Sequence, residues 1–262
     1  MNILVFIKQV ADAEVRISIG ADNRTLDIEN KYVINFFDEF AIEEALRIKE
    51  AVSGSLVTVC SYGPQRTIEA LRTAIAMGAD EAVLIDSTNF SNDDPLIVSE
   101  ILASWAKKKE FDIILCGRQA IDDENANVGA MIAELLQVPH VSRAMKLEIL
   151  DGVKVKVESE IEGGKGLFEV TLPALFTAQK GLNEPRVPLI TGVMKAMKKE
   201  IPIIEPEQLD ISKEVLNNNS GLSVASYELP PRRLPVKMIE GANNEEKVKE
   251  LVRILKEEAK AL

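Results

Sequence analysis

The sequence predicts an α/β fold built on a doubly wound parallel sheet. Short, continuous apolar runs recur along the chain, and such runs suit strands that are buried on both faces of a sheet. Segments with helical periodicity separate the runs in the first half of the chain, and this alternation is typical of parallel α/β sheets. The chain has 262 residues, 46% of them hydrophobic, and is therefore long enough to bury a sizeable core.

Five apolar runs are predicted to form the buried strands. In chain order they are Ile3–Ile7, Leu56–Cys60, Ala82–Ile85, Ile113–Cys116 and Ala174–Ala178. Both cysteines of the chain end such runs, so they are predicted to be small core residues rather than metal ligands or a disulfide.

Helical patterns fill the intervals between the first strands and follow the fourth. They cover Asp38–Ala51, Gln65–Met77, Pro95–Lys109 and Val128–Leu136. Gly78 follows the second pattern as a glycine C-cap would, and Pro95 stands in the first turn of the third, where proline is tolerated best. Trp105 is expected to pack from this third helix against the sheet.

The pattern changes after residue 140 to alternation with a period of two. Met145–Leu150 and Val153–Val157 alternate in this way across Asp151-Gly152, which is a hairpin signal. The alternation continues to Ile161 and returns in Leu167–Val170. The sequence therefore predicts a small antiparallel insert at about residues 144–171, with one face toward solvent.

From Lys195 onward the chain becomes rich in proline and asparagine and ends in a charged helical segment, Asn244–Leu262. This part has too few apolar residues to form a core of its own. Residues 1–194 are therefore predicted to form the α/β nucleotide-binding domain, and residues 195–262 an extended arm. A disordered tail is the alternative, but recurring aliphatic residues favour an arm that lies on a partner; they are Ile201, Ile203, Ile204, Leu209 and Ile211.

Composition excludes several classes of function. A formal net charge of −11 argues against nucleic-acid binding, which needs a positive surface. The N-terminus lacks signal-peptide features, and no apolar run approaches the ~18 residues that span a bilayer, so we expect a cytoplasmic protein if the source is prokaryotic. With His140 as the single histidine, no metal site is expected.

The polar segment Gly117–Gly129 lies between a predicted strand and a predicted helix. Free N–H groups at the start of such a helix suit a phosphate, and this is where α/β sheets bind nucleotides. Side chains in the segment can cap the helix or hold a ribose hydroxyl; they are Asp122, Asp123, Asn125 and Asn127. An ordinary N-cap cluster on a surface loop explains these residue types equally well.

Four stretches carry a family resemblance: Leu4–Val10, Asn35–Glu50, Gly117–Gly129 and Leu182–Lys199. Through them the chain resembles the beta (small) subunit of electron-transfer flavoproteins nearly from end to end, and the last two stretches are the most specific. The resemblance implies a Rossmann-like, doubly wound parallel sheet of the adenine-nucleotide-binding type. It also implies that the extended C-terminal arm and its helix pack on a larger alpha subunit.

The resemblance implies an electron carrier subunit rather than an enzyme. In this family the alpha subunit holds most of an FAD, and the beta subunit buries an AMP that has a structural role. Electrons pass through the FAD from acyl-CoA dehydrogenases of fatty acid β-oxidation, or from other dehydrogenases. They then reach a membrane quinone oxidoreductase or another acceptor.

The resemblance also implies a set of cofactor-binding positions: Phe6, Asn35, Phe36, Phe37, Asp38, Tyr62, Gly117, Gln119, Asp122, Asp123, Asn125, Ala126, Asn127 and Val128. Asn35 is expected to reach the adenine or the ribose, and Phe37 stands where the family places an aromatic ring against FAD. A hydrophobic staple before the helix is the alternative for Phe36 and Phe37. Asp122 and Asp123 would repel a phosphate, so they are expected to face ribose, backbone N–H groups or the alpha subunit.

The chain departs from the family pattern at three positions. Ala13 stands where members often have a tyrosine near the flavin, and Phe36 stands where many have a proline. Val128 replaces a threonine that binds the AMP phosphate in some members, so a backbone N–H would have to serve instead.

Residues 182–199 correspond to the family's partner recognition loop, in which Ile190 occupies the anchor position. Pro188 and Gly192 frame Leu189 and Ile190, and this predicts an exposed, non-helical tip. Lys195 and Lys198 nearby are expected to steer acidic partners.

Three alternatives remain at this point. A bifurcating subgroup of the family holds a second FAD in place of AMP, but its motifs differ from Asn35–Glu39 and Ala120–Glu124, which favour the single-flavin kind. An enzyme acting on ATP would need a glycine-rich loop after the first strand, where Lys8–Asp12 has no glycine. An ATP-binding stress or signalling module is disfavoured by the recognition loop and the long arm.

Overall fold

The computed structural model describes residues 1–90, 94–211, 221–233 and 235–261. Its strands, in chain order, are β1 (Asn2–Phe6), β2 (Gln9–Ala11), β3 (Ile17–Ile19), β4 (Leu26–Ile28), β5 (Tyr32–Ile34), β6 (Leu56–Gly63), β7 (Glu81–Asp86), β8 (Ile113–Gly117), β9 (His140–Ile149), β10 (Lys154–Ile161), β11 (Gly164–Thr171), β12 (Ala174–Ala178) and β13 (Ile203–Ile204).

The α-helices of the described residues are α1 (Phe36–Ala51), α2 (Ile68–Met77), α3 (Pro95–Ala106), α4 (Val128–Leu136), α5 (Ile190–Lys198) and α6 (Asn244–Arg253). Short 3₁₀ turns form at Gln65–Thr67 and Pro206–Gln208. Gly78 caps α2 with φ 134°, and Asp94 caps α3 just before Pro95, so the predicted end of α2 and the predicted start of α3 are confirmed. Helix α2 begins three residues later than predicted, after a 3₁₀ turn, and α3 ends three residues earlier than predicted. None of the described helices is both long enough and apolar enough to cross a bilayer.

The predicted α/β fold with a Rossmann-like, doubly wound sheet is confirmed. One sheet holds nine strands in the order β11-β10-β9-β12-β8-β1-β6-β7-β13. The seven strands from β9 to β13 in this order run parallel, and β10 and β11 extend the sheet as antiparallel neighbours beyond β9. The antiparallel part coincides with the predicted insert.

Helices cover both faces of the sheet because alternate side chains of each strand enter different cores. In β1, Ile3 and Val5 join a cluster with α1 and α2, whereas Leu4 and Phe6 join a cluster with α3 and α4. Trp105 is fully buried in the second cluster, as predicted. The five strands that the sequence predicted as apolar runs, β1, β6, β7, β8 and β12, are largely buried on both faces, and this explains their composition.

The chain reverses its direction of winding between β1 and β8. From β1 it proceeds to β6 and β7 on one side, and it then crosses back to β8 on the other side. In open α/β sheets, ligands bind outside the carboxyl ends of the strands at such a switch point. This places Gly117 and the loop that follows it at the expected binding crevice.

The structure differs from the prediction in the region after Lys195. The sequence predicted an arm from this residue onward, whereas Ile201 and Leu209 are buried and Ile203–Ile204 pairs with β7 in the main sheet. From Gly221 onward no described residue is buried. The run Asn217–Asn219 of the predicted arm lies outside the described residues.

Candidate functional site

A buried carboxylate joins the ends of the two strands at the switch point. The backbone N–H of Lys8, just after β1, donates to Asp38 Oδ2 at 2.7 Å, and the N–H of Gly117, at the end of β8, donates to Asp38 Oδ1 at 2.8 Å. Burial raises the pKa of Asp38 to about 7, although these hydrogen bonds and the side chain of Asn35 act in the opposite direction. Both carboxylate oxygens are thus engaged with backbone, and contact of Asp38 with a cofactor stays a prediction.

Asn35 braces the loop that follows β8. Its side chain, 1% exposed, donates to the carbonyl of Gln119 at 2.8 Å and accepts from the N–H of Ile121 at 3.0 Å. Asp38 and Asn35, at the start of α1, therefore fix the beginning and the end of the first turn of the loop. Asp38 binds Gly117, and Asn35 binds the backbone of Gln119 and Ile121. Any further contact of Asn35 or Gln119 with adenine or ribose stays a prediction.

The rest of the loop leads to an open helix start. Glu124 and Ala126 have φ near 53° and 55°, which is the left-handed region, and the N–H of Asn125 donates to Asp123 Oδ1 at 3.1 Å. Asn127 is the N-cap residue of α4, but its side chain makes no capping hydrogen bond. The first turn of α4, at Val128, therefore keeps N–H groups for an anion.

Lys8 forms ion pairs with two acidic residues of the loop, Asp122 and Asp123. Its Nζ lies 2.8 Å from Asp122 Oδ2 and 3.1 Å from Asp123 Oδ2. Burial lowers the pKa of Lys8, but the two carboxylates raise it by more, so the ammonium stays charged. The sequence interpretation did not anticipate this pair, which turns the carboxylates toward a lysine.

Two aromatic rings, the exposed Phe36 and the half-buried Phe37, lie at the neighbouring edge together with two cations. Phe36, 39% exposed, packs edge-on against Phe37 with ring centroids 5.3 Å apart. The guanidinium carbon of Arg118 lies 4.9 Å from the centre of the Phe37 ring, and Lys180 Nζ lies 5.9 Å from that of Phe36. Sequence reasoning missed Arg118 and Lys180. Both lie just beyond buried strands, β8 and β12, and this position could have indicated them.

Two predicted cofactor positions have other partners in the structure. The ring of Phe6 is buried and packs edge-on against Trp105 at 6.0 Å. The hydroxyl of Tyr62 donates to the carbonyl of Phe90. Cofactor contacts for these two residues stay predictions.

The predicted partner anchor is exposed but helical. Leu189 and Ile190 are 74% and 81% exposed, and α5 begins at Ile190, so the predicted non-helical conformation was wrong. The backbone of Gly192 in this helix lies directly against α2. A side chain would not fit there, because an added Cβ would be 2.4 Å from the carbonyl oxygen of Ala76. Lys195 and Lys198 are exposed and stand in the last turn, where cations complement the helix dipole.

We call residues 187–198 the docking segment. Exposed apolar side chains dominate it: Val187, Leu189, Ile190, Val193, Met194 and Met197. A shallow cleft of about 120 Å³ separates part of it from α2. A hollow of about 240 Å³ on the hairpin strands is lined by two lysines, two glutamates and Leu167, so its charges cancel. The candidate ligand site is therefore the crevice at the strand ends, where the buried polar groups Asn35 and Asp38 converge.

Known proteins resemble this chain over most of its length. A family model described as the electron transfer flavoprotein domain matches residues 25–209. The electron transfer flavoprotein subunit beta of Bacillus subtilis (strain 168) is 38% identical over 263 aligned positions, which cover 100% of both chains. The chain belongs to the electron transfer flavoprotein beta subunit family. The human subunit beta is 39% identical over 236 positions, or 89% of this chain and 90% of the human one. That of Thermoanaerobacterium thermosaccharolyticum is 46% identical over 219 positions, or 82% and 83% of the two chains.

Membership of this family makes the chain an electron-transfer flavoprotein subunit rather than a catalytic enzyme. It also implies association with flavin and with an alpha subunit.

In this beta subunit, Gly117→Ala is expected to destabilise the crevice. An added Cβ would lie 2.3 Å from Asp38 Oδ1 and 2.8 Å from the carbonyl carbon of Phe37, which is backbone and cannot move aside. Such overpacking typically costs about 1–3 kcal/mol. Urea unfolding measures the loss. Gly164→Ala is the matched control, because its Cβ would meet nothing within 4 Å. Equal stability of both variants would contradict the geometry.

The stability conferred by Asp38 is expected to depend on pH. Its folded-state pKa of about 7 lies above the ~3.9 of an unfolded aspartate, so protonation favours the folded state. The contribution is fully present below about pH 4 and is lost as the pH rises through about 7. The advantage in thermal midpoint of the wild type over Asp38→Asn should therefore shrink between pH 5 and pH 8. A constant difference would contradict this, and the exposed Glu207→Gln serves as control.

Proposed function

We propose that this chain is the beta subunit of a heterodimeric electron-transfer flavoprotein. The heterodimer carries electrons from acyl-CoA or other dehydrogenases, through an FAD shared with the alpha subunit, to a membrane quinone oxidoreductase or another acceptor. Family membership supports electron transfer. The observation that supports the role of this chain is the loop 117–127, which Asn35 and Asp38 hold open at the switch point of the sheet.

AMP is the ligand we propose for this crevice. The first turn of α4 has no capping side chain, so its N–H groups suit the phosphate, and Val128 can contribute a backbone N–H in place of a hydroxyl. Lys8 pairs with Asp122 and Asp123, which turns both carboxylates toward the lysine and offsets part of their repulsion of the phosphate. The AMP would join α1, α4 and the loop between β8 and α4, and this gives it a structural role.

Phe36, Phe37, Arg118 and Lys180 fit one wall of the FAD site. The exposed ring of Phe36 and the half-buried ring of Phe37 suit a flat, largely apolar ring system, and the two cations complement the negative charge of a phosphate-bearing cofactor. FAD supplies the redox chemistry, since it accepts electrons and passes them on singly. The residues of this chain orient it and shield it from water.

The docking segment is the surface we propose for the partner dehydrogenase, with Leu189 and Ile190 as anchors and Lys195 and Lys198 as steering charges. The C-terminal arm is the surface we propose for the alpha subunit, and the assembly would be cytoplasmic in a prokaryote. In the bifurcating alternative, a second FAD would take the place of AMP in the same crevice.

Electron carriage is tested with the copurified heterodimer. An acyl-CoA dehydrogenase with its substrate should bleach the flavin absorbance of the heterodimer, and an electron acceptor should restore it. Turnover of ATP by a heterodimer without flavin would reject this function in favour of an enzyme that acts on ATP.

A further inference from the structure

Arg186 fastens the base of the docking segment to helix α1. Its Nε and Nη2 donate to the two carboxylate oxygens of Glu43 at 2.8 and 2.9 Å, and its backbone N–H donates to Glu43 Oε2 at 3.1 Å. Nη1 donates to Glu50 Oε1 at 2.6 Å, about two helical turns further along α1. Two-pronged contacts of this kind fix orientation as well as distance.

The contact is specific because Glu43 is a buried acid. Its side chain is only 7% exposed, and the hydrogen bonds to Glu43 raise the pKa of Arg186 more than those to Glu50. A buried carboxylate that loses its partner is strongly unfavourable, so the chain is held to this one geometry. Next to it, Asn183 Nδ2 donates to the carbonyl of Phe40 at 3.0 Å and to Glu44 Oε2 at 2.9 Å.

The far end of the docking segment is held by a second arginine. Arg72 of α2 donates from Nη1 to the carbonyls of Ala196 and Met197 at 2.7 and 3.0 Å, which caps the C-terminus of α5. Between the attachments made by Arg186 and Arg72, the backbone of Gly192 lies in direct contact with α2. The exposed apolar residues are therefore presented on a segment that is fixed at both ends.

Helix α1 connects the contact between Arg186 and Glu43 to the proposed wall of the FAD site, which we call the cofactor wall. Phe36 and Phe37 stand at its first turn, and Glu43 lies roughly 9 Å further along the axis at the α-helical rise of about 1.5 Å per residue. We propose that Arg186 is a positioning residue, which sets the docking segment at a fixed distance and angle from the cofactor wall through Glu43. This inference rests on the proposed docking function and adds the device that makes the docking surface rigid.

The expected consequence is a loss of productive docking without loss of flavin. In Arg186→Ala, the docking segment would have to be ordered on binding, which weakens association. We expect the KM for the heterodimer in the dehydrogenase assay to rise so that kcat/KM falls on the order of 10- to 100-fold. The flavin content of the heterodimer should stay at the wild-type value. Arg186→Lys keeps the charge but not the two-pronged contact, so its kcat/KM should lie between those of the wild type and Arg186→Ala.

The test measures kcat and KM with an acyl-CoA dehydrogenase that reduces the wild-type heterodimer, together with the thermal midpoint. Arg47→Ala is the matched control, because Arg47 is an exposed arginine on the same helix and makes only a 3.9 Å contact with Glu44. Hydrogen–deuterium exchange over residues 187–198 should rise in Arg186→Ala and not in Arg47→Ala. If Arg186→Ala does not assemble with the alpha subunit, Arg186→Lys is compared with Arg47→Ala in the same two measurements.

Two outcomes separate this inference from the proposed function. If Ile190→Ala raises the KM while Arg186→Ala and Arg186→Lys behave like Arg47→Ala, docking stands and the positioning role of Arg186 is overturned. If Ile190→Ala leaves the KM unchanged, docking at this segment fails, and the role of Arg186 fails with it.

Discussion

Ile190→Ala is expected to weaken binding between the heterodimer and its dehydrogenase about tenfold or more, at the size typical of an interface anchor. The side chain is 81% exposed at the start of α5, so truncation removes contact area from a partner rather than from the core. The thermal midpoint and the flavin content should therefore stay close to the wild-type values.

The measurement is the rate of flavin reduction by the dehydrogenase over a range of heterodimer concentrations. Ile17→Ala is the control, because Ile17 is a half-exposed isoleucine in β3, outside the docking segment. A sharp fall in thermal midpoint with unchanged partner affinity would show that Ile190 packs in a core, and the docking assignment would then be wrong.

Removal of residues 221–262 is expected to abolish assembly with the alpha subunit and to leave the α/β domain folded. No described residue of this part is buried. Its exposed apolar residues need a cover that this chain does not provide; they are Leu222, Val224, Leu229, Val236, Met238, Val248, Leu251 and Val252. Contacts with the domain include hydrogen bonds from the N–H of Gly221 to Asp94 and from that of Tyr227 to Asn23.

Copurification with the alpha subunit and the circular dichroism of the truncated chain measure the two effects. A shorter truncation, residues 259–262, keeps helix α6 and serves as the control. Normal assembly of the longer truncation would show that the arm is not the main contact. Collapse of the circular dichroism signal would show that the arm belongs to the domain.

Five strands of the parallel sheet could be predicted because burial on both faces gives uninterrupted apolar runs. Strand β9 alternates in exposure, so the sequence assigned its residues to the antiparallel insert, although it also pairs in parallel with β12. Strand β13 could not be predicted, since its two residues lie between Pro202 and Pro206 and form a strand only by pairing with β7. Helix α5 was missed because Pro188 and Gly192 favour a loop locally. The close approach of Gly192 to Ala76 is a tertiary contact that overrides this preference.

The location of the candidate site could be predicted, but its internal contacts could not. The strand, polar loop and helix around Gly117 mark the crevice in the sequence itself. Lys8 meets Asp122 and Asp123 only because β1 and β8 are neighbours in the sheet, although they are far apart in the chain. Asn35 and Asp38 suit a ligand by residue type, and only the fold shows that backbone groups engage both side chains.

The identity and number of the bound cofactors test the central claim most directly. The heterodimer is purified, its flavin is quantified by absorbance, and the nucleotides released on denaturation are identified by mass spectrometry. We expect a single FAD and a single AMP for each heterodimer. Two FAD molecules and no AMP would contradict it in favour of the bifurcating form, and a heterodimer that binds no flavin would contradict the assignment to electron transfer itself.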